Sequence, residues 1–267
     1  MIHKETEYME QGQVFLGSVP YAMGTRFDLL VCGAPLEKAQ RVWDKATLVL
    51  ERLDSMLNRF SPSSEVYILN SGAAIQGQSV SAELSSILAL AVDYYEKTEG
   101  LFDVTKGHMG EVEFRDNSAI SLYGNALDFG GFAKGYFLRK ALEILRDAGI
   151  SSAYADFGGS SILALGTHPF GDCWKVGLSD PFTGAQVDEI SLRDLSLSTS
   201  GNTSGYGGHI VNPLTGDSDC GPKLSTVTSP DPLDAEVLST ALFVASEEQV
   251  ERILQRFEGA SGKIYNL

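Results

Sequence analysis

The stretch that most limits what this chain can fold into is Ala126-Leu127-Asp128-Phe129-Gly130-Gly131-Phe132-Ala133-Lys134-Gly135-Tyr136. Leu127 and Phe129 flank Asp128 in alternation, which predicts a strand end. Gly130-Gly131 predicts a turn, because glycine reaches dihedrals that other residues avoid and lets another group approach the main chain. From Ala133 the period becomes helical, with Phe137, Ala141, Ile144, Leu145 and Ala148 on one face and Gly149 as a stop. A helix start beside a bare glycine turn presents unpaired N–H groups and the positive end of a dipole, which suits phosphate. Lys134 adds a point charge where a cation is disfavoured, so an anionic partner is expected for it. Asp128 is placed to orient a ligand or to bond to the turn. Neither Walker-loop nor Gly-x-Gly-x-x-Gly spacing is present. Taken alone, this local chemistry favours an ordinary strand-to-helix turn with a solvated lysine.

The rest of the chain predicts a mixed α/β protein. Residues up to Pro20 read as a polar leading strand or arm, and Phe27 to Cys32 as a strand. Glu37 to Leu57 reads as a helix with Ala39, Val42, Trp43, Ala46, Leu50, Leu53 and Leu57 on its core face. Asn58 to Glu65 is turn-rich. Ser81 caps a second helix that buries Leu84, Ile87, Leu88, Ala91, Val92 and Tyr95 and ends near Gly100. In Leu101-Phe102-Asp103, an aromatic beside an acid can grip a ring. Equally, Phe102 is core and Asp103 a turn former, and on the local sequence that plainer reading is favoured. Strands are predicted at Ser152 to Phe157, Ile162 to Leu165, Trp174 to Leu178, Leu195 to Ser200 and Leu224 to Thr228. His209 to Gly216 reads as a short strand closed by a Pro/Gly turn. Asp234 is the expected cap of a helix over 235–244, Ser246 to Gln249 a capping box, and Lys263 to Leu267 a closing strand. Glu236 and Thr240, four apart, share a helix face. A carboxylate and a hydroxyl there suit a hard cation such as Mg²⁺, or simply bond to each other.

Composition narrows the partners. A net charge of −15 argues against nonspecific nucleic-acid binding, and an anionic ligand then needs local help from dipoles, Lys134 or a metal cation. Cys32, Cys173 and Cys220 are far apart and form no CxxC pair or even-numbered disulfide framework. No apolar run is long enough to span a bilayer, and no basic-then-apolar leader is visible. A cytoplasmic protein is the expectation, or a periplasmic or membrane-anchored one if a leader was trimmed. The 267 residues read as one domain over 1–267, or as two lobes with the active site between them.

In their shared order these stretches resemble the FAD:protein FMN transferases, the ApbE-like flavin transferase family. The likeness runs through Met23-Gly24-Thr25, Arg59-Phe60 with Ser64-Glu65 and Leu69-Asn70, Phe102-Asp103 with Thr105, and Asp128 to Gly135. It continues through Gly158-Gly159, Asp180-Pro181, Thr199-Ser200-Gly201, His209-Ile210 with Pro213 and Thr215-Gly216, and Ser239-Thr240-Ala241-Leu242. The resemblance implies mixed or antiparallel sheets flanked by helices, in T-fold-like lobes. It also implies Mg²⁺-dependent transfer of FMN from FAD, as substrate, to a Ser or Thr hydroxyl of an acceptor flavoprotein, with release of AMP. By position it makes Met23, Phe60, Leu101, Phe102, Asp103, Asp128, Lys134 and Ile210 flavin-nucleotide contacts. The Gly131 carbonyl, Glu236 and Thr240 become the metal site, and His209 the residue assisting proton transfer.

The chain departs from the family pattern in places. Glu236 and Asn212 stand where the family usually has Asp, Asn58 replaces a common Ser, and Val104 a common Pro. The segment from Asn202 to His209 is short and glycine-rich. Hydrolysis of FAD to FMN and AMP without a protein acceptor, and non-catalytic FAD binding, are the alternative readings. A homodimer is an option for assembly.

Overall fold

The longest amphipathic segment, Leu36–Leu57, is α1 in the computed structural model, which describes residues 2–72, 77–115, 119–203, 207–218 and 221–267. All seven residues of its predicted core face are buried. Trp43 lies near Phe15 and Phe27, with ring centroids 6.2 and 6.1 Å away. A Cβ at Gly17 would stand 2.6 Å from the indole, so only glycine lets α1 lie this close to the sheet.

In chain order the strands are β1 (Glu5–Met9), β2 (Val14–Ala22), β3 (Thr25–Cys32), β4 (Gln78–Ser79), β5 (Glu113–Arg115), β6 (Ala119–Ser121) and β7 (Ala153–Phe157). They continue as β8 (Ser161–Leu165), β9 (Trp174–Ser179), β10 (Gln186–Leu192), β11 (Leu195–Gly201), β12 (Lys223–Ser229) and β13 (Ser261–Asn266). The other helices are α2 (Glu65–Asn70), α3 (Ala82–Lys97), α4 (Ala133–Asp147), α5 (Pro232–Val244) and α6 (Glu247–Leu254).

An eight-stranded sheet runs β1-β2-β3-β7-β8-β11-β12-β13, with every neighbouring pair antiparallel. The fold is therefore the mixed α/β class with an antiparallel sheet flanked by helices. One face of the sheet carries helices α1 and α5, and α4 packs against both. On the other face the β9–β10 ribbon brings Trp174 and Leu192 onto Ile162, Ala164 and Leu197. A small sheet, β4-β6-β5, lies apart.

α5 is apolar nearly all round: Leu233, Ala235, Val237, Leu238, Ala241, Leu242 and Phe243 are all buried. Such a helix belongs in an interior, and it sits between β11, β12 and α4. Its amino end is braced by a polar cluster. Arg139 of α4 donates to Asp231 at 2.8 Å and to the Tyr94 hydroxyl at 2.7 Å, and Tyr94 donates to Asp234 at 2.5 Å. Burial, reinforced by Asp234, pushes the Tyr94 phenol far above its ordinary range.

Several predicted elements differ. Of the two readings of the leading segment the strand holds, as β1 and β2, but β2 is not polar, since its Phe15 and Val19 are fully buried. Asp231, not Asp234, caps α5, accepting from the Leu233 N–H at 2.9 Å, with Pro232 fitting the first helical position. His209 to Gly216 is not a strand. Val211 makes a single bridge to Ser218, and Asn212 closes a turn by accepting from the Leu214 N–H. On α3, Tyr94 is buried and Tyr95 only half-buried. Cys220 and residues 204–206 of the glycine-rich segment lie outside the described residues. No helix among the described residues is long and apolar enough to cross a membrane.

Leu127 to Phe129 joins no sheet. The alternation reflects burial, since Leu127 and Phe129 are inside, but a side chain takes the place of a neighbouring strand. The Asn70 amide donates to the Leu127 carbonyl at 2.9 Å and accepts from its N–H at 2.8 Å. Removing the amide leaves two main-chain groups of a buried residue unpaired, at roughly 1–3 kcal/mol each. Asn70→Ala is therefore expected to lower the unfolding free energy by about 2–6 kcal/mol. Urea titration with an unchanged m-value checks this.

Candidate active site

A cleft of about 850 Å³ opens where the carboxyl ends of several elements meet. Its wall includes Met23, Phe60, Leu101, Phe102, Asp103, Asp128, Gly131, Lys134, His209, Ile210, Glu236 and Thr240. Every site residue read from the sequence thus faces one space, although more than two hundred residues separate the first from the last.

The floor is formed by α4 against α5. Neither Gly130 nor Gly131 has a positive φ, so the expected dihedral freedom is not why they are glycines. Close approach, the other property expected of this turn, is the reason at Gly131. A Cβ on Gly131 would stand 2.9 Å from Thr240 Oγ1, and one on Gly135 would stand 2.4 Å from the Glu236 Cβ. The entry turn of α4 uses the carbonyls of Phe129 and Phe132: Phe132 and Ala133 N–H groups donate to the first, Tyr136 N–H to the second. The N–H groups of Phe132 and Ala133 are therefore not available to a phosphate, contrary to the expectation for the whole turn. Those of Gly131 and Lys134 find no acceptor among the described residues.

Glu236 is only 3% exposed, and a buried carboxylate must be compensated. Lys134 forms an ion pair with Oε1, so Glu236 is the anionic partner expected for that lysine. Ser161 of β8 and Ser198 of β11 donate to Oε2 at 2.5 and 3.0 Å. A hydroxyl chain continues from Ser198 to Ser239 (3.1 Å), Ser200 (2.9 Å) and Thr240 (3.2 Å). Thr240 itself bonds to the Glu236 carbonyl at 3.4 Å, not to its carboxylate. Ser161, Ser198 and Ser200 are the residues that the sequence reading missed. The signal was there: β11 places Ser196, Ser198 and Ser200 on one face at alternate positions.

Among the described residues no group of three or more His, Cys, Asp or Glu could hold a metal. A cation at this floor would depend on the Gly131 carbonyl, one carboxylate and the Thr240 hydroxyl, an all-oxygen set that suits Mg²⁺. The donor chemistry fits, and the occupant of Oε1 is at present Lys134.

At the opposite wall, Asp128 accepts from the Gly130 N–H at 2.9 Å and pairs with Lys106 (2.7 Å) and Arg59 (3.0 Å). Burial alone would raise this carboxyl, but Lys106, the Gly130 N–H and Arg59 outweigh it and hold it below the usual carboxylate range. The Arg59 guanidinium lies 4.7 Å from the Phe60 ring, which is 77% exposed at the mouth. Met23 enters from the two-residue β2–β3 turn, where it and Gly24 have φ of 47° and 86°. A left-handed Met is strained by about 1–2 kcal/mol, and its N–H is held by Asp54 Oδ1 at 3.0 Å. A smaller, more apolar pocket of about 200 Å³ adjoins here, lined by Tyr21, Leu57, Phe129 and Ala133.

Phe102 and Asp103 perform the plainer roles while lining the cleft. Phe102 is buried between Tyr94 and Phe132, and Asp103 accepts from the Thr105 N–H and hydroxyl at 2.6 Å and from the Gly107 N–H at 2.9 Å. His209 is half-buried and Ile210 buried, both on the irregular segment that forms the far rim.

A family model described as the ApbE family matches residues 23–119 and 109–262. The chain belongs to the ApbE family. It is 25% identical over 284 residues to a FAD:protein FMN transferase of Treponema pallidum, covering 84% of this chain and 77% of that one. It is 29% identical over 274 residues to a FAD:protein FMN transferase of Rhodobacter capsulatus, covering 87% of this chain and about half, 52%, of the relative. Among solved structures, the ApbE protein of Thermotoga maritima superposes with a TM-score of 0.78 at 22% identity, over 100% of this chain and 97% of that one.

Two outcomes follow for this ApbE-family chain. Gly131→Ala pushes a methyl into Thr240; the resulting overpacking should lower the unfolding free energy by about 1–3 kcal/mol while the protein stays folded, as read by urea titration and circular dichroism. Asp128 has a folded-state pKa below its unfolded one, so its contribution is present above the unfolded value and is lost as pH falls through the folded one. Lys106 is half exposed, so Lys106→Met should cost at most about 1 kcal/mol at neutral pH, with the difference from wild type fading as acid protonates Asp128 below the ordinary carboxylate range. Denaturant titrations at several pH values measure this.

Proposed function

We propose that this chain is a FAD:protein FMN transferase, which moves FMN from FAD to a Ser or Thr hydroxyl of an acceptor flavoprotein and releases AMP. The observation that carries the reading is the meeting of Gly131, Glu236 and Thr240 at the floor of a cleft whose walls hold the nucleotide-contact residues implied by the family.

The bond to be broken lies in a pyrophosphate, where positioning and charge stabilisation supply most of the catalysis. Mg²⁺, held by the Gly131 carbonyl, Glu236 and Thr240, would supply neutralisation of the pyrophosphate charge. Lys134 and the Gly131 and Lys134 N–H groups bind phosphoryl oxygens at the positive end of α4. Phe60, exposed at the mouth, offers a face to a planar ring, and Met23, Leu101, Phe102 and Ile210 exclude water around it. Asp128, ionised at neutral pH, orients the polar edge of the ligand. His209 on the far rim takes or directs the proton of the acceptor hydroxyl, help that is typically worth ~10²–10⁴-fold.

The test follows AMP and covalent flavin after mixing the protein with FAD, Mg²⁺ and an acceptor domain. Wild type should release AMP and add one FMN to the acceptor by mass. Glu236→Ala should abolish turnover, while His209→Ala should keep a residue of activity some ~10²–10⁴-fold below wild type. Full activity in Glu236→Ala removes the metal assignment. AMP release without a labelled acceptor makes the chain a FAD pyrophosphatase, and intact FAD in the bound state makes it a carrier.

A further inference from the structure

Resting on the transferase reading above, we infer that Lys134 and the divalent cation exchange places on a single oxygen of Glu236, so that the cation is admitted together with a diphosphate ligand and poorly without one. Glu236 has four lone-pair positions on its two oxygens. Ser161 and Ser198 fill both on Oε2. Only Oε1 is left to face a cation, and Lys134 pairs with it.

The extra methylene of glutamate is what creates this arrangement. It carries Oε2 past the α4–α5 contact to the serines of β8 and β11, and so fixes the carboxylate as a one-oxygen donor. An ammonium and a dication on the same oxygen would stand only a few ångströms apart, in a site where Glu236 is almost wholly removed from water. Like charges at that distance in a low dielectric repel strongly. One of them must leave.

Lys134 has no other carboxylate to turn to among the described cleft residues. Asp128 already holds Arg59, Lys106 and the Gly130 N–H, and Asp103 holds the Thr105 and Gly107 groups. The lysine is on the first turn of α4, and its side chain is 17% exposed toward the cleft. A phosphoryl group bound at that helix end is the anion within its compass. Moving onto it frees Oε1 within the cleft that Gly131 and Thr240 also line. Lys134 thereby acts as a stand-in cation when the cleft is empty and as a phosphate ligand when it is full.

The experiment titrates Mn²⁺ as a paramagnetic substitute for Mg²⁺ and follows protein-bound metal by its resonance signal, with and without saturating FAD and with no acceptor present. Wild type should bind Mn²⁺ at least about tenfold more tightly when FAD is bound, the scale expected when one charge repulsion near a protein site is relieved. Lys134→Met should bind Mn²⁺ alone at least about tenfold more tightly than wild type does, and should lose most of the FAD-dependent gain. Lys134→Arg should keep the wild-type pattern. Equal or weaker Mn²⁺ binding by Lys134→Met, alongside normal metal uptake by FAD-loaded wild type, overturns the exchange and leaves the transferase reading standing. Failure of wild type to bind FAD or metal at all removes the transferase reading itself. Thermal shifts of wild type give an independent check that needs no variant. Mn²⁺ and FAD together should raise Tm by more than the sum of their separate shifts, and simple additivity overturns the exchange.

Discussion

The close crossing of α4 and α5 governs the architecture of the cleft. At Gly135 the two helices approach until a Cβ would stand 2.4 Å from the Glu236 Cβ and 2.9 Å from the Pro232 carbonyl, and at Gly131 the margin is 2.9 Å. That contact buries a carboxylate in the centre of the protein. A buried, unpaired charge is costly, and breaking such a pair typically destabilises by about 3–5 kcal/mol. The partners of Glu236 come from three further elements, α4, β8 and β11. One side chain therefore ties two helices to two central strands. The Arg139 cluster at the amino end of α5 performs the same task with Asp231, Asp234 and Tyr94.

Much of this could be read from the residues. The 3.6-residue period of α1, the serine cap of α3, the capping box of α6 and most of the central strands are local signals, and they hold in the structure. What misled were places where a side chain imitates secondary structure. Asn70 substitutes for a strand beside Leu127, so an alternating pattern exists without a sheet. Pro232 and Asp231 start α5 a turn earlier than Asp234 suggests, because Asp234 is occupied by Tyr94. Of the two reasons the double glycine suggested, close approach holds and dihedral freedom does not; what the local sequence did not name is the neighbour, since Gly131 answers to Thr240, over a hundred residues away. Ser161 could not be read as a partner of Glu236 for the same reason, and the alternating serines of β11 showed a shared face for Ser198 but not which distant residue it bonds to.

The electrostatics of the cleft follow from the strongly acidic chain around it. Its net charge of −15 repels an anionic ligand at long range. Arg59, Lys106 and Lys134 answer this locally, yet each is already engaged, the first two with Asp128 and the third with Glu236. The empty cleft is close to internally neutral. A phosphorylated ligand entering it must take over existing ion pairs rather than meet free cations, which trades affinity for selectivity toward ligands that can offer a replacement charge at the correct point.

α5 also sets the order in which function can appear. It is threaded late in the chain but occupies the middle of the layer, flanked by β11 and β12 and covering α4. The first half of the chain can pair β1 to β3 and lay down α1 on its own local contacts. Nothing made before Pro232, however, contains Glu236 or Thr240. On a ribosome emitting the chain from its amino end, the cleft floor is therefore assembled only after α5 has emerged and packed against α4, β11 and β12, so the site depends on one of the later docking steps rather than on the early local contacts.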